Sequence, residues 1–191
     1  MKTPSGVITI KDLIYYRYAK LISASAGFGR DNFAFIQKKF QQLKSGQIEW
    51  SSAIREFIRQ VEDGMKCEYC GTKEHISMDH IIPKNRLTLE TADNIVWACT
   101  SCNSSKGDKG LYEWYGYDRR NEIPRVVEGK YLKLLYKLHE ENRSLDMNIE
   151  KIKGNLCYKC KNKYLCDEYI KEGKAPESIL SVYCLENIFT K

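Results

Sequence analysis

The sequence has no long apolar run. No stretch approaches the roughly 20 apolar residues of a membrane-spanning helix, and residues 1–7 lack the apolar segment of a secretory signal. We therefore expect a cytoplasmic chain with no membrane partner. It also lacks internal repeats and low-complexity tracts. Its 191 residues are 42% hydrophobic and 29% charged, which predicts one compact domain or two small ones.

The positive charge of the chain is unevenly distributed. Residues 1–66 hold 11 Lys and Arg against 6 Asp and Glu, whereas residues 67–110 hold 5 against 6. A basic segment beside a slightly acidic centre is typical of a nucleic-acid grip next to a metal-binding region, but a solvated helical face explains it equally well. The formal net charge of +6 mildly favours a polyanionic partner.

No cysteine lies outside two groups of four. The first group consists of two C-x-x-C pairs, Cys67 with Cys70 and Cys99 with Cys102. Such pairs fold as tight turns that aim two thiolates at one point, and two of them complete a tetrahedron around Zn²⁺. Disulfides or scattered buried thiols are the alternatives, but without a secretory signal a reducing compartment is expected, which favours zinc over disulfides.

The second group has less regular spacing and consists of Cys157, Cys160, Cys166 and Cys184. Zinc is the favoured ligand here too, with an iron–sulfur cluster or free thiols as alternatives.

Helical periodicity dominates both ends of the chain. Apolar residues at helical spacing predict a first helix that closes near Gly27, a second from Asp31 to Gly46, and a third from Trp50 to Gly64. A longer amphipathic helix is predicted from Pro124 to about Arg143, followed by a polar link over residues 144–156. The expected regions are 1–64, helical; 65–118, the centre; and 119–191, helical with the second cysteine group.

The centre has a different pattern. Ser77–Ile82 and Asn94–Ala98 are short, β-branched-rich stretches that predict two strands, and the residues after Cys102 predict a helix. Two cysteine pairs that bracket this hairpin would hold Asp79 close to Asn103. Carboxylate and amide oxygens are hard ligands that suit Mg²⁺ or Mn²⁺, so the centre is expected to hold a structural zinc and a second, catalytic cation.

In order and spacing, the pieces C-E-Y-C-G, M-D-H-I-I-P-K-N-R, N-I-V-W-A-C and C-x-x-C-N-x-x-K resemble the HNH endonuclease family, in the form whose hairpin is clamped by four cysteines. The resemblance covers residues 67–110. It implies an α+β fold with a central ββα-metal core, a hairpin and helix stabilised by zinc. It further implies a nuclease that acts on DNA in settings such as restriction or phage defence.

The resemblance also assigns roles. His80 would be the general base, Asp79 and Asn103 the ligands of Mg²⁺ or Mn²⁺, and Asn94 a brace for the loop between the strands. An imidazole with a pKa near 6.5 is a suitable base for water at neutral pH. The alternative is a zinc-stabilised nucleic-acid-binding module without catalysis. DNA and RNA are not distinguished by the sequence, and the oligomeric state, a dimer included, is left open.

Four cations flank the predicted site and are candidates for phosphate contacts: Lys84, Arg86, Lys106 and Lys109. The remaining histidines, His75 and His139, are predicted to be ordinary surface residues.

Overall fold

The computed structural model describes residues 6–50, 64–86, 92–116, 118–159, 171 and 182–185. The predicted third helix falls largely on residues 51–63, outside the described residues. Among the described helices, none is both long and apolar enough to cross a bilayer.

The described residues of the N-terminal region contain two helices, which correspond to the first two that the periodicity predicts. Helix α1 spans Ile10–Ser25 and begins with a capping box in which Thr9 accepts from the backbone N–H of Asp12. Helix α2 spans Phe33–Lys44 and is capped by Asn32. The buried faces of the two helices pack on each other, and Lys44 Nζ lies 2.8 Å from Asp12 Oδ1 across that contact.

The centre is a hairpin followed by a helix. Strands β1 (Ile76–His80) and β2 (Ile95–Cys99) pair antiparallel, with Asp79 opposite Val96 and His80 opposite Ile95. Helix α3 (Thr100–Lys106) starts directly at the end of β2. The predicted strands are therefore confirmed to within two residues. The predicted helix is also confirmed, although it begins three residues before Asn103, and so is the α+β fold class.

Helix α4 (Leu111–Tyr115) and helix α5 (Arg125–Glu141) follow the centre. The polar link predicted over residues 144–156 is wrong, because helix α6 spans Ile149–Lys159. Its apolar positions recur at helical spacing, and Ile149, Ile152 and Leu156 are buried. A short helical segment, Val182–Leu185, contributes Val182 and Leu185 to the same core.

A buried ion network joins the N-terminal helices to the centre and to α5. Glu128 is fully buried and accepts from Arg17 Nε and Arg30 Nη1, each at 2.6 Å, and from the Tyr112 hydroxyl at 2.9 Å. Because Arg17 lies on α1, Tyr112 on α4 and Glu128 on α5, one carboxylate fixes three helices relative to one another. Buried apolar residues from all three predicted regions pack in one cluster, whereas the region boundaries themselves stay predictions.

Candidate functional site

Four cysteine sulfurs meet at one end of the hairpin. The Sγ atoms of Cys67, Cys70, Cys99 and Cys102 all lie within 4.8 Å of one another, and the Cys70–Cys99 pair is 3.7 Å apart. Zinc–sulfur bonds of about 2.3 Å in a tetrahedron require sulfurs about 3.8 Å apart. The cluster therefore has the ligands and the spacing of a structural zinc site, as the sequence predicts.

The backbone of the first cysteine turn lowers the pKa of the Cys67 thiol. The Cys67 N–H donates to Thr72 O at 2.7 Å and the Gly71 N–H to Cys67 O at 2.8 Å; Gly71 adopts a φ of 82°, which favours glycine. Burial raises the pKa of Cys67, but backbone N–H groups of Cys99, Cys70 and Tyr69 outweigh it and lower that pKa to about 7. At Cys67, thiolate, the metal-binding form, is thus accessible near neutral pH, whereas burial and the neighbouring cysteine sulfurs raise the pKa of Cys102.

The second turn uses Cys99 both as a candidate ligand and as a helix cap. Cys99 is the N-cap of α3, and its sulfur accepts from the backbone N–H of Cys102 at 3.4 Å. A cation held by the four sulfurs would therefore fix the end of β2 and the start of α3 together.

Asp79 lies on β1 and points inward, with only 5% of its surface exposed. Its Oδ2 accepts from the Tyr69 hydroxyl at 2.6 Å, and its Oδ1 lies 3.2 Å from Lys106 Nζ. Lys106 is 1% exposed and also donates to His80 O at 2.6 Å. The carboxylate is thus held on both oxygens, by a residue of the first cysteine turn and by a residue of α3.

His80 follows Asp79 on β1, and Asn103 contacts the same strand from α3. Neighbouring strand residues alternate between faces, so His80 is partly exposed where Asp79 is buried. The Asn103 amide on α3 donates long hydrogen bonds of 3.4 Å to Ser77 Oγ and to Met78 O, the residue before Asp79. The hairpin and helix therefore bring Asn103 into contact with the residue before Asp79, although 23 residues of the chain lie between Asp79 and Asn103.

Asn94 is fully buried at the base of the hairpin. Its side chain accepts from the Ile82 N–H at 2.8 Å and donates to Ile82 O at 3.0 Å. From α5, Lys130 Nζ donates to Ala92 O at 3.2 Å and to Ile95 O at 2.6 Å, on either side of Asn94. These contacts brace the segments that enter and leave the strands, and Asn94 itself faces no solvent.

The four predicted phosphate-binding cations have different environments. Lys84 and Lys109 are exposed. Arg86 pairs with Glu113 through Nη2 and donates to Asp108 O at 3.0 Å. Lys106 requires a correction: it is buried against Asp79, so its ammonium does not face solvent and the structure gives it no phosphate-binding surface.

The predictions for the second cysteine group and for His139 have different outcomes. Cys157 lies on α6 and Cys184 in the segment Val182–Leu185, whereas Cys160 and Cys166 lie outside the described residues, so the second metal site stays a prediction. His139 was expected at the surface and is fully buried, with Nδ1 2.8 Å from Ser144 Oγ. Burial lowers its pKa to about 4.

The contacts of Tyr69 and Lys106 with Asp79 were not predicted from the sequence. Tyr69 stands between Cys67 and Cys70, and its contact with Asp79 arises only when the hairpin folds. Lys106 follows Asn103 by three residues, about one helical turn, which was the one available signal that it approaches β1.

Asp79 and Asn103 can serve as ligands of a divalent cation. An ionised carboxylate has about four acceptor positions, and Tyr69 and Lys106 occupy one on each oxygen. Asn103 is engaged through its Nδ2, and no residue of the described chain donates to its Oδ1. The residues therefore fit Mg²⁺ or Mn²⁺, with Lys106 as a neighbouring charge that weakens cation binding.

The hairpin, the helix that follows and the four-cysteine cluster define a zinc-clamped ββα domain. Residues 67–109 match the family model described as HNH endonuclease, so this segment is an HNH endonuclease domain of the four-cysteine form. No curated protein and no solved structure matches the chain significantly.

Proposed function

We propose that this chain is a metal-dependent endonuclease that hydrolyses phosphodiester bonds in DNA. The observation that carries the proposal is that α3 brings Asn103 against the strand that holds Asp79 and His80, through hydrogen bonds to Ser77 and Met78, inside the segment that matches the HNH family. Domains of this family are generally nucleases. DNA is the substrate we propose, and the biological setting we propose is restriction or phage defence.

His80 is the proposed general base. Its side chain is partly exposed at the last residue of β1, where a water could reach it. A neutral imidazole nitrogen accepts the proton of that water as it attacks the phosphorus. Because Lys106 Nζ and the pairing with Ile95 both fix the backbone of His80, the base has a defined position.

Asp79 and Asn103 are the residues that would hold Mg²⁺ or Mn²⁺. When bound, such a cation supplies Lewis-acid stabilisation of charge on the phosphate and on the leaving oxygen. Exposed Lys84 and Lys109 contribute positive charge at the flanks, and the proposed products carry 5′-phosphate and 3′-hydroxyl ends.

A second function is favoured by one specific observation. The Asp79 carboxylate is buried and already paired with Lys106. In a zinc-stabilised binding module without catalysis, this pair would be purely structural and Asp79 would have no role toward a cation. Both functions predict binding to nucleic acid, but only the first predicts hydrolysis that depends on metal and on His80.

A plasmid assay separates the two. Zinc-loaded protein is incubated with supercoiled plasmid and Mg²⁺ or Mn²⁺, and the variants His80→Asn and His75→Asn are compared. His75 is an exposed histidine at a φ of 50°, a conformation that asparagine tolerates, so it is a matched control. Loss of a general base lowers the rate by about 10²- to 10⁴-fold.

We expect wild type and His75→Asn to nick or linearise the plasmid, and His80→Asn to lose at least about 100-fold in rate. Cleavage that persists in EDTA, or equal rates for the two variants, would contradict the endonuclease proposal. Binding of DNA without cleavage of DNA, RNA or branched substrates would establish the binding module instead. For the setting, plating of phage on cells that express wild type or His80→Asn tests whether protection requires the same residue.

A further inference from the structure

Tyr69 occupies an unusual position between the two metal sites of the HNH domain. It is one of the two residues between Cys67 and Cys70, so its backbone belongs to the turn that presents those sulfurs. Its side chain packs against the cluster of Cys67, Ala98 and Cys99, and its hydroxyl donates to Asp79 Oδ2 at 2.6 Å. One residue therefore spans from the zinc ligands to the candidate ligand of the second cation.

Contacts of the ring and of the neighbouring backbone fix the position of Tyr69. It packs edge-to-face on Trp114, with ring centroids 4.9 Å apart and planes at 85°. The Trp114 indole N–H donates to Ser105 Oγ on α3 at 3.1 Å. The neighbouring Glu68 N–H donates to Trp97 O on β2 at 2.8 Å, which attaches the cysteine turn to the hairpin. The hydroxyl thus has a defined position relative to β1.

The Asp79 carboxylate needs a hydrogen-bond donor that fixes its orientation. The last torsion of an aspartate side chain is broad, so the strand alone does not set the plane of the Asp79 carboxylate. Lys106 fixes Oδ1 and Tyr69 fixes Oδ2, and the two donors together define that plane and the direction of the remaining lone pairs. Partners of this kind orient a metal ligand, and their removal typically costs 10- to 100-fold in metal affinity or activity.

We infer that Tyr69 is a positioning residue that orients the Asp79 carboxylate for a divalent cation and so couples the four-cysteine zinc site to the catalytic site. The inference rests on the proposed function, because it requires that Asp79 binds the cation. Tyr69 does not touch the reacting atoms, and its effect passes through Asp79.

The test measures cation binding without nucleic acid. Zinc-loaded protein is titrated with Mn²⁺, and free Mn²⁺ is followed by its electron paramagnetic resonance signal. The variants are Tyr69→Phe, which removes only the hydroxyl, and Asp79→Asn, which defines the binding that depends on Asp79. Tyr112→Phe is the matched control, because it removes another hydroxyl bond to a buried carboxylate, that of Glu128 at 2.9 Å.

We expect Tyr69→Phe to weaken Mn²⁺ binding by about 10-fold with unchanged zinc content, and Tyr112→Phe to leave Mn²⁺ affinity unchanged. A second variant, Trp114→Leu, keeps the Tyr69 hydroxyl but removes the ring that supports it, and an intermediate loss is expected. It keeps the inference testable if Tyr69→Phe fails to fold.

Wild-type affinity in both Tyr69→Phe and Trp114→Leu, together with loss of binding in Asp79→Asn, would overturn the inference and leave the proposed function intact. Equal Mn²⁺ binding in wild type and Asp79→Asn, or none in either, would overturn the proposed metal site and the inference with it. A loss of affinity in Tyr112→Phe as large as in Tyr69→Phe would show a general effect of stability, and that result also contradicts the inference.

Discussion

Replacement of Lys106 by methionine is the most informative perturbation of the site. Methionine keeps a long apolar side chain and removes the ammonium that lies 3.2 Å from Asp79 Oδ1. In Lys106→Met, the Asp79 carboxylate would remain buried at 5% exposure with Tyr69 as its remaining donor. A buried charge without its partner is strongly unfavourable in the folded state.

The size of the effect follows from the burial of both partners. Removing one partner of a buried ion pair costs about 3–5 kcal/mol. We expect the lower end, about 3 kcal/mol, because Tyr69 continues to donate to the carboxylate. For a chain of this length each kcal/mol changes the unfolding midpoint by about 2–4 °C, so a decrease of about 6–12 °C is expected.

The assay is chemical denaturation of zinc-loaded protein at pH 7, without other divalent cations. Lys109→Met removes an exposed lysine three residues away and is the matched control, with an expected change within about 0.5 kcal/mol. The double variant Asp79→Asn with Lys106→Met should be more stable than the sum of the single effects by about 2 kcal/mol. Additive effects, or a loss below about 1 kcal/mol in Lys106→Met, would refute the buried pair.

Two further predictions concern stability. Cys67→Ser should abolish zinc binding at the first cluster and destabilise the HNH domain far more than His80→Asn does, because a structural zinc supplies much of the folding free energy of a small domain. Elemental analysis measures the zinc content and thermal unfolding measures the stability. Normal stability of a zinc-free variant would contradict this prediction. His139 binds a proton in the unfolded state below pH about 6.5 but in the folded state only near pH 4, so stability falls with acidification through this interval. From pH 7 to pH 5 the loss is on the order of 2 kcal/mol; denaturation of His139→Gln should lack this part of the slope, and equal slopes in the two proteins would contradict the buried neutral imidazole.

Local patterns were sufficient to predict most of the fold. Helices α1 and α2 follow from apolar residues at helical spacing. The hairpin follows from two β-branched stretches between paired cysteines. Helix α6 was not predicted, because the polar residues between Ile149, Ile152 and Leu156 outnumber these apolar residues and obscure their helical spacing.

Environment was harder to predict than secondary structure. His139 stands in a helix rich in charge, and only the packing of the following loop, with Ser144, buries it. Lys106 and Asp79 are 27 residues apart, so their pairing depends on how α3 packs against β1. A lysine near a nuclease motif suggests a phosphate contact from the sequence alone, whereas the folded chain uses this lysine as an internal counter-ion.

The central claim is that one small hairpin holds a structural zinc and orients Asp79 and Asn103 for a second cation. The most direct measurement is a crystal structure of the zinc-loaded protein soaked with Mn²⁺, with anomalous scattering to identify each metal. We expect zinc among Cys67, Cys70, Cys99 and Cys102, and manganese bound by Asp79 and Asn103 close to His80. Manganese bound elsewhere, with Asp79 contacted only by Tyr69 and Lys106, would contradict it.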